Sequence, residues 1–443
     1  MTTAPVDVRD YGGRYPGAFL AAIYRDLFAA IQSLDAVGGD LVRVGFGRLP
    51  GLVLVRHPDL VGDVLVGLND RLTKARGLRL ARAVLGDGLL TSETPHHTRQ
   101  RRLLLPAFHH QRLRSYGATM VEAAEREQSS WRTGVRLDIA EAMSRLTLDI
   151  AGRTLFSADV LSQADAVGWA VSETMTAFDR SQYPFADKLL WIPTRAQRRS
   201  RRARAVLDAL VYRLIAERRA AAEPGDDLLG LLLAAEDADT GARMSDAEVR
   251  DEVVTLLLAG HETTAVALAW TWTLLAAHPS AREALHDELD ALGETPAFDR
   301  LDALPLTRAI VAESMRLYPP AWTVGREAAT DLELGGVPLR RGTTILFSPY
   351  GLHRDARWWD DPLAFRPERF LAPAAPVHKF AYVPFSAGRR GCIGERFAWT
   401  EAVLVLATLA QRWRLEAAAP PPLPTGSVTL RPSGPIWMRP ASR

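Results

Sequence analysis

The chain has 443 residues, 47% of them hydrophobic and 24% charged, which is an ordinary globular composition that can bury a large core. The formal net charge of +2 argues against wholesale nucleic-acid binding, and a single cysteine, Cys392, excludes an intramolecular disulfide. Because Asp7, Arg9 and Asp10 interrupt the N-terminal stretch, it does not resemble a signal peptide or a membrane anchor. We therefore expect a cytoplasmic monomer.

Long amphipathic helical patterns dominate the chain, and three stretches depart from them. Residues 42–58 predict short strands around a turn, residues 332–350 predict a hairpin that turns at Gly335 and Gly336, and residues 427–440 predict a C-terminal strand. Strands at both ends of a helical body must pair with something. The pattern therefore predicts one mainly α domain with small β-sheets (α+β) over residues 1–443.

A strongly basic segment, RAQRRSRRARA, covers residues 195–205 and precedes an apolar helical pattern. Its simplest interpretation is the solvated beginning of a helix, and contact with a membrane surface is the alternative. Charges interrupt the apolar stretches of the chain before they reach the roughly 18 to 20 residues that a membrane span needs.

One predicted helix is unusually long and apolar. Ser245 and Glu248 form a capping box, and the pattern runs from Asp246 to Ala277, about 48 Å at 1.5 Å per residue. A helix that is apolar nearly all round is buried. Its central residues, AGHETT at 259–264, therefore place polar groups where they need partners or a function.

The stretch HETTA nearly matches the zinc-protease pattern HExxH, but Ala265 stands where the second histidine is needed, which excludes that site. Two interpretations of the remaining polar residues stay open on the local pattern. Thr263 and Thr264 donate back to carbonyls one turn earlier, or Glu262 and Thr263 form a polar groove that faces a ligand.

A shorter helix, LTRAIVAESMRLYPP, is predicted to end at Pro319 and Pro320. Glu313 and Arg316 are three residues apart on one face, where they can pair. Because buried pairs seldom add net stability, we expect this pair to hold its neighbours in position.

Cys392 lies in the stretch FSAGRRGCIGERFA, residues 385–398. A lone cysteine is usually a small buried hydrophobe. Here three glycines allow close approach to the backbone, two arginines are near, and a predicted helix begins just after the thiol. These features favour a thiolate, which is a nucleophile or a metal ligand. No partner base for a nucleophile is identifiable, whereas one cysteine with glycines and cations suits a thiolate ligand of haem iron.

The residues Phe385, Gly388, Arg390, Cys392 and Gly394 reproduce the pattern F-x-x-G-x-R-x-C-x-G, which resembles that of the cytochrome P450 superfamily of haem-thiolate monooxygenases. Three further motifs occur in the same order as in that family. AGHETT resembles its oxygen-activating helix, and Glu313 and Arg316 resemble the Glu–Arg pair of another helix. FRPERF (365–370) resembles the segment whose arginine, here Arg369, completes a triad with that pair. HTRQRR (97–102) extends the resemblance upstream. It implies a triangular helical body with a long central helix over the haem.

The resemblance implies a role for each matching residue. Cys392 would be the axial ligand of the iron of haem b, and Glu262 and Thr263 would relay protons to O₂. The other implied cofactor contacts are His97, Arg101, Arg326, Phe385, Arg390, Gly394, Ala259 and Gly260. Arginine suits the propionates because its fork binds carboxylates, while solvated surface charge is the alternative for each cation. Arginine at position 390 is more similar to the fatty-acid-hydroxylase branch than to the camphor-hydroxylase branch.

The implied substrate contacts are Leu78, Leu80, Ala259, Trp322, Val324 and Val428. A largely apolar pocket suits a fatty acid, a terpenoid or a carotenoid, but core packing explains the same residues. The implied reaction is hydroxylation or epoxidation. The alternative is a haem-thiolate protein that does not oxygenate with O₂, either peroxide-driven or catalytically silent, and the acid–threonine pair disfavours it.

About 50 residues follow Cys392, too few for a fused reductase domain, so we expect electrons to come from NAD(P)H through a ferredoxin or flavodoxin and its reductase. An acidic donor would dock on a local basic face. The candidate residues for that face are Arg99, Arg102, Arg112, Arg114, Arg389 and Arg396.

Overall fold

The computed structural model describes residues 5–12, 17–47, 49–157, 164–184, 186–189, 194–221, 225, 227–237, 239–372 and 378–443. The helices in these ranges are α1 (Ala18–Arg25), α2 (Leu27–Asp35), α3 (Pro58–Gly62), α4 (Arg76–Leu85), α5 (His96–Leu104), α6 (His110–Ser129), α7 (Ile139–Phe156), α8 (Ala164–Ser181), α9 (Ala186–Leu189), α10 (Arg195–Ala220), α11 (Leu228–Ala234), α12 (Asp246–Ala277), α13 (Pro279–Leu292), α14 (Pro305–Leu317), α15 (Pro349–Leu352) and α16 (Glu395–Arg412). The strands are β1 (Val8–Asp10), β2 (Leu41–Phe46), β3 (Leu49–Val55), β4 (Leu72–Lys74), β5 (Leu137–Asp138), β6 (Val324–Ala328), β7 (Leu332–Leu334), β8 (Val337–Leu339), β9 (Thr344–Phe347), β10 (Trp413–Ala417), β11 (Pro424–Gly426), β12 (Leu430–Pro432) and β13 (Trp437–Ser442). The predicted α+β fold is confirmed.

The long central helix is α12, and its bounds match the prediction. The Ser245 hydroxyl accepts the Glu248 N–H, and the Glu248 carboxylate accepts the Ser245 N–H, which completes the capping box. Helix α12 packs along α7 and also contacts α10, α14 and α16. Within the described ranges it is the one helix long and apolar enough to cross a membrane, but 78% of its most apolar window is buried inside the protein.

The strands form one larger sheet and three small ones. Six strands in the order β1-β2-β3-β9-β6-β4 join the N-terminal part of the chain to its middle. Strands β7 and β8 form the predicted hairpin, and Gly335 and Gly336 take φ values of +57° and +80° at its turn.

The C-terminal strand prediction needs one correction. The stretch 427–440 holds two strands because Pro432, Gly434 and Pro435 interrupt it. Strand β12 pairs with β11, and β13 pairs with β10 and β5. The end of the chain is therefore tied to the helical body in two places.

The basic segment 195–205 begins helix α10, as its simplest interpretation predicts. The Thr194 side chain accepts the Gln197 N–H at the helix start. Arg199 pairs with Glu173 of α8, and the Arg202 guanidinium lies over the Trp169 ring.

Candidate active site

The loop that carries Cys392 is closed by its own backbone. The Cys392 N–H donates to the Phe385 carbonyl oxygen at 2.9 Å. Gly388 has a φ of +70°, and a Cβ there would lie 2.3 Å from the Leu65 carbonyl oxygen. The close approach that this glycine permits is therefore to Leu65, which corrects the expectation that it makes room for a ligand.

Cys392 is exposed to solvent, although many protein atoms surround its thiol. Burial raises the pKa of the thiol to about 11 and the Glu395 carboxylate adds to this effect, while the Gly394 N–H and Arg101 act in the opposite direction. Without a metal, burial outweighs the local donors that favour the predicted thiolate. A bound metal ion would shift the balance towards the thiolate.

A cluster of basic side chains stands beside this loop. Its members are Lys74, His97, Arg101, Arg326 and Arg390. Lys74 and Arg326 face each other across β4 and β6. The Arg390 guanidinium lies 2.5 Å from Glu93, whose carboxylate also accepts the Lys74 N–H. The other terminal nitrogen of Arg390, Nη1, is buried without a hydrogen-bond partner among the described residues.

The cationic side chains of the cluster outnumber Glu93, the carboxylate that is ion-paired with Arg390. Burial and neighbouring cations lower the pKa of Lys74 to about 7 and that of Arg326 to about 10. The same causes lower the pKa of His97 to about 3. His97 is therefore a neutral donor and not the predicted cation. The donor set fits a ligand with two carboxylates, as the haem propionates are.

The roles of two members of the cluster, Lys74 and Arg101, can be recognised only from the fold. Sequence patterns do not single out Lys74, because the burial of a lysine in a three-residue strand appears only when β4 pairs with β6. The Arg101 guanidinium donates to the Gly391 carbonyl oxygen at 2.8 Å. Arg101 thus ties helix α5 to the cysteine loop.

The middle of α12 is open although the helix is buried on both sides of it. Ala259 is exposed, Gly260 and Thr263 are half-buried, and a Cβ at Gly260 would meet nothing within 4 Å. The Thr263 hydroxyl donates to the Ala259 carbonyl oxygen at 2.7 Å. The back-bond that the first interpretation predicts is therefore confirmed for Thr263, and this face of the helix is open. A ligand-facing role for Glu262 and Thr263 stays a prediction.

Glu262 is held by the C-terminal hairpin, which consists of β11, β12 and the residues between them (424–432). Its carboxylate accepts the Thr429 hydroxyl at 2.5 Å and lies 3.0 Å from Arg431 Nη2. Burial raises the pKa of Glu262, while Arg431 and Thr429 oppose that effect. Among the hydrogen bonds of the described residues, none joins Glu262 to Thr263, so the predicted acid–alcohol pair is adjacent along the helix but not bonded.

Glu313 and Arg316 pair on α14, as their spacing predicts. Both side chains are fully buried, and two hydrogen bonds of 2.6 and 2.8 Å join them. Arg369 Nε lies 3.4 Å from the same carboxylate. The three side chains of the predicted triad therefore meet in the structure.

Comparison with known proteins decides the family. A family model described as cytochrome P450 matches residues 17–438. The chain belongs to the cytochrome P450 family.

Several curated P450 relatives align with most of the chain. Cyclooctat-9-en-7-ol 5-monooxygenase of Streptomyces melanosporofaciens is 40% identical over 402 residues, 89% of this chain and 86% of the relative. Pentalenene oxygenase of Streptomyces avermitilis is 37% identical over 391 residues, 87% of this chain and 86% of the relative. The bifunctional cytochrome P450/NADPH–P450 reductase 2 of Bacillus subtilis is 32% identical over 414 residues, 87% of this chain but 38% of that longer protein.

This P450 is a haem-thiolate monooxygenase that uses O₂, depends on a redox partner and acts on a hydrophobic small molecule. Across the ranges that the structure describes, no group of three or more His, Cys, Asp or Glu side chains is arranged to hold a metal.

The substrate contacts expected in this P450 are placed unevenly. Leu78 and Val428 pack at the edge of the largest core cluster, Val324 packs on the core beside the six-stranded sheet, and Leu80 is half-buried. Trp322 is fully buried, and its indole N–H donates to the Ser427 carbonyl oxygen at 2.7 Å. The prediction for Trp322 is corrected, because this ring supports the C-terminal hairpin from within the core.

The basic face predicted for an electron donor is largely compensated in this P450. Arg99 pairs with Glu248, Arg102 with Asp237 and Asp239, Arg114 with Asp299, and Arg389 with Asp70. Arg396 is exposed, four residues after Cys392. A row of arginines in the sequence therefore overstates the positive charge that this surface presents.

Proposed function

We propose that residues 1–443 form one P450 domain in which Cys392 would bind the haem iron and the basic cluster beside it would hold the propionates. The observation that carries this proposal is the buried Arg390 Nη1, which has no hydrogen-bond partner among the described residues. It lies in a cluster whose pKa values are lowered first by burial and further by neighbouring cations. In this proposal Lys74 binds the propionates together with the predicted residues His97, Arg101, Arg326 and Arg390.

When bound, haem supplies the iron that activates O₂ with two electrons. The chain supplies the surroundings of that chemistry. Phe385 packs against Trp399, with ring centroids 5.7 Å apart, and limits water beside the sulfur. Ala259 and Gly260 leave space on the open face of α12. On that face the Thr263 hydroxyl holds a proton that it can donate, and the Glu262 carboxyl group supplies the proton that replaces it.

Carbon monoxide spectroscopy tests the ligand assignment. The reduced protein with carbon monoxide should show the red-shifted Soret band of thiolate ligation, and Cys392→Ser should lose that band. Lys74→Met should keep the band but release haem more easily to an apoprotein acceptor. A thiolate band in Cys392→Ser would contradict the ligand assignment, and unchanged haem release from Lys74→Met would contradict the role of Lys74.

The substrate class that the relatives favour is a terpenoid, which this P450 would hydroxylate. Two relatives at 37% and 40% identity are named for oxygenation of pentalenene and of a cyclooctat-9-en-7-ol. The apolar side chains of Leu78, Leu80, Val324 and Val428 suit such a hydrocarbon. A spin-state binding screen should give tighter binding for cyclic terpenes than for fatty acids or carotenoids of similar carbon number, and the opposite order would overturn this choice.

We propose that a ferredoxin or flavodoxin delivers the electrons to this cytoplasmic, monomeric enzyme beside Cys392. Exposed ion pairs are worth little, so Arg389 can leave Asp70 for an acidic partner, and exposed Arg396 needs no such release. Arg396→Glu should slow reduction at low salt more than at high salt. Arg414→Glu, on β10, is the matched control, and equal effects of the two variants would contradict docking beside the cysteine loop.

A further inference from the structure

The C-terminal hairpin places one arginine between two helices. Arg431 Nη2 lies 3.0 Å from the Glu262 carboxylate on α12 and 3.5 Å from the Asp179 carboxylate on α8. The same hairpin also binds each acid separately, because the Val428 N–H donates to Asp179 at 2.6 Å and the Thr429 hydroxyl donates to Glu262. Two acids from different helices therefore share one guanidinium.

This arrangement is mostly enclosed and short of positive charge. The exposed fractions of the side chains are 32% for Arg431, 21% for Asp179 and 13% for Glu262. Arg431 Nε is buried without a hydrogen-bond partner among the described residues. Burial raises the pKa of both acids, and Arg431 opposes that effect at each of them. The other charged or titratable groups that face this region are Asp138, Glu141, Arg145, Arg180 and His261.

A cavity of about 530 Å³ lies behind Glu262, between α7, α8, α12 and residues 431–435. Its wall includes Ser144, which is hydrogen-bonded to His261, and the exposed side chain of Arg145 stands at its outer side. Glu262, Ala265 and Ala269 line it along one face of α12, whereas Ala259 and Thr263 share the adjoining open face. Glu262 therefore stands on the boundary between the cavity and the open face.

We propose that Arg431 is a positioning residue which, with Asp179, holds the Glu262 carboxyl group on the cavity side, where solvent protons reach it before it serves Thr263. The inference rests on the proposed function, in which Glu262 and Thr263 are the proton relay. A hydronium ion from solvent passes its proton through a water in the cavity to the Glu262 carboxylate and is left as water. The Glu262 carboxyl group then donates that proton to the Thr263 oxygen and returns to a carboxylate, as the Thr263 hydroxyl gives its own proton to the O₂ that is being reduced. No electrons are exchanged in this transfer.

Single-turnover measurements on the haem-loaded enzyme test the role of Arg431. Glu262→Gln should lower the rate of product formation by about 10²-fold, as for loss of a general acid. Arg431→Met keeps an unbranched apolar stem but removes the guanidinium charge, and it should lower the same rate by roughly tenfold, because the acid is misplaced. Arg414→Met, an exposed arginine of β10 paired with Glu416, is the control and should change nothing.

Two further measurements separate positioning from structural damage. The infrared band of the protonated Glu262 carboxyl, identified by its absence in Glu262→Gln, should persist to higher pH in Arg431→Met, since Arg431 lowers the pKa of this acid. In the Glu262→Gln background, Arg431→Met should cause no additional loss of rate. An unmoved infrared band, or an equal rate loss in both backgrounds, would overturn the role of Arg431.

The cavity is tested by filling it. Gly168 lines it, and a Cβ at this position would meet nothing within 4 Å. Gly168→Leu should slow product formation and increase the solvent deuterium isotope effect, whereas Gly168→Ala should do neither. Equal behaviour of the two variants would reject the cavity as the proton route. If Glu262→Gln itself has no effect, the proposed relay fails; if it is impaired while Arg431→Met and Gly168→Leu are normal, only this inference fails.

Discussion

Arg316 makes five hydrogen bonds although its side chain is fully buried. Two go to Glu313, and three go to the carbonyl oxygens of His353, Pro362 and Ala364. The guanidinium thus fastens the segment after α15 to helix α14. Arg316→Leu removes all five bonds and leaves the Glu313 carboxylate with the Arg366 N–H and the more distant Arg369.

The expected loss of unfolding free energy is large. Removing one partner of a buried ion pair costs about 3–5 kcal/mol, and each buried carbonyl left without a donor adds about 1–3 kcal/mol unless water reaches it. A typical domain has a total stability of about 5–15 kcal/mol, so Arg316→Leu should fold poorly and retain little haem. The stability of Arg316→Lys should lie between that of Arg316→Leu and that of the unaltered protein, since an ammonium has three donors for five acceptors.

Urea unfolding of the haem-loaded protein, together with its haem content, measures this effect. The matched control is Arg300→Leu, which removes an exposed pair with Glu294 and should cost less than about 1 kcal/mol. If Arg316→Leu unfolds within about 1 kcal/mol of that control, the reasoning from buried hydrogen bonds is refuted.

Three other predictions give sharp outcomes. Gly388→Ala should lower stability by about 1–3 kcal/mol in thermal unfolding, because φ is +70° and Leu65 is in the way, whereas Gly260→Ala should be neutral or raise stability by up to about 1 kcal/mol; equal changes would contradict the contact geometry. Burial raises the pKa of Glu401 to about 8, so the proton is bound more tightly in the folded state and stability should fall by up to about 1.4 kcal/mol per unit as pH rises toward 8, a slope that Glu401→Gln should remove. Trp322→Phe should cost about 1 kcal/mol of stability and leave substrate affinity unchanged, and the reverse result would restore Trp322 as a substrate contact.

Local signals predicted the elements that are fixed locally. Helix α12 begins and ends where the sequence indicates, because both signals are local. The capping box at Ser245 and Glu248 marks its start, and the dipeptide His278-Pro279 marks its end. The turn at Gly335 and Gly336 is predictable for the same reason. The split of 427–440 into two strands was also encoded, in the prolines and glycine of 432–435, but the pattern of the whole stretch concealed it.

The surroundings of the cysteine could be predicted only in part. Glycines, arginines and a following helix are properties of the sequence near Cys392, and each of them favours a thiolate. Burial is a property of the whole fold, and it is the largest cause of the raised thiol pKa in the absence of a metal. The effect of desolvation on Cys392 therefore could not be derived from its neighbours along the chain.

The same distinction separates the arginines of the surface from those of the site. Arg102 and Arg114 pair with carboxylates 135 to 185 residues away, so a basic run in the sequence becomes a nearly neutral surface. Lys74, Arg326 and Arg390 are buried together with too little negative charge, and folding does not supply the rest. In the proposed function, an excess of buried cations over carboxylates, more than the presence of arginine, distinguishes the cofactor site from the surface.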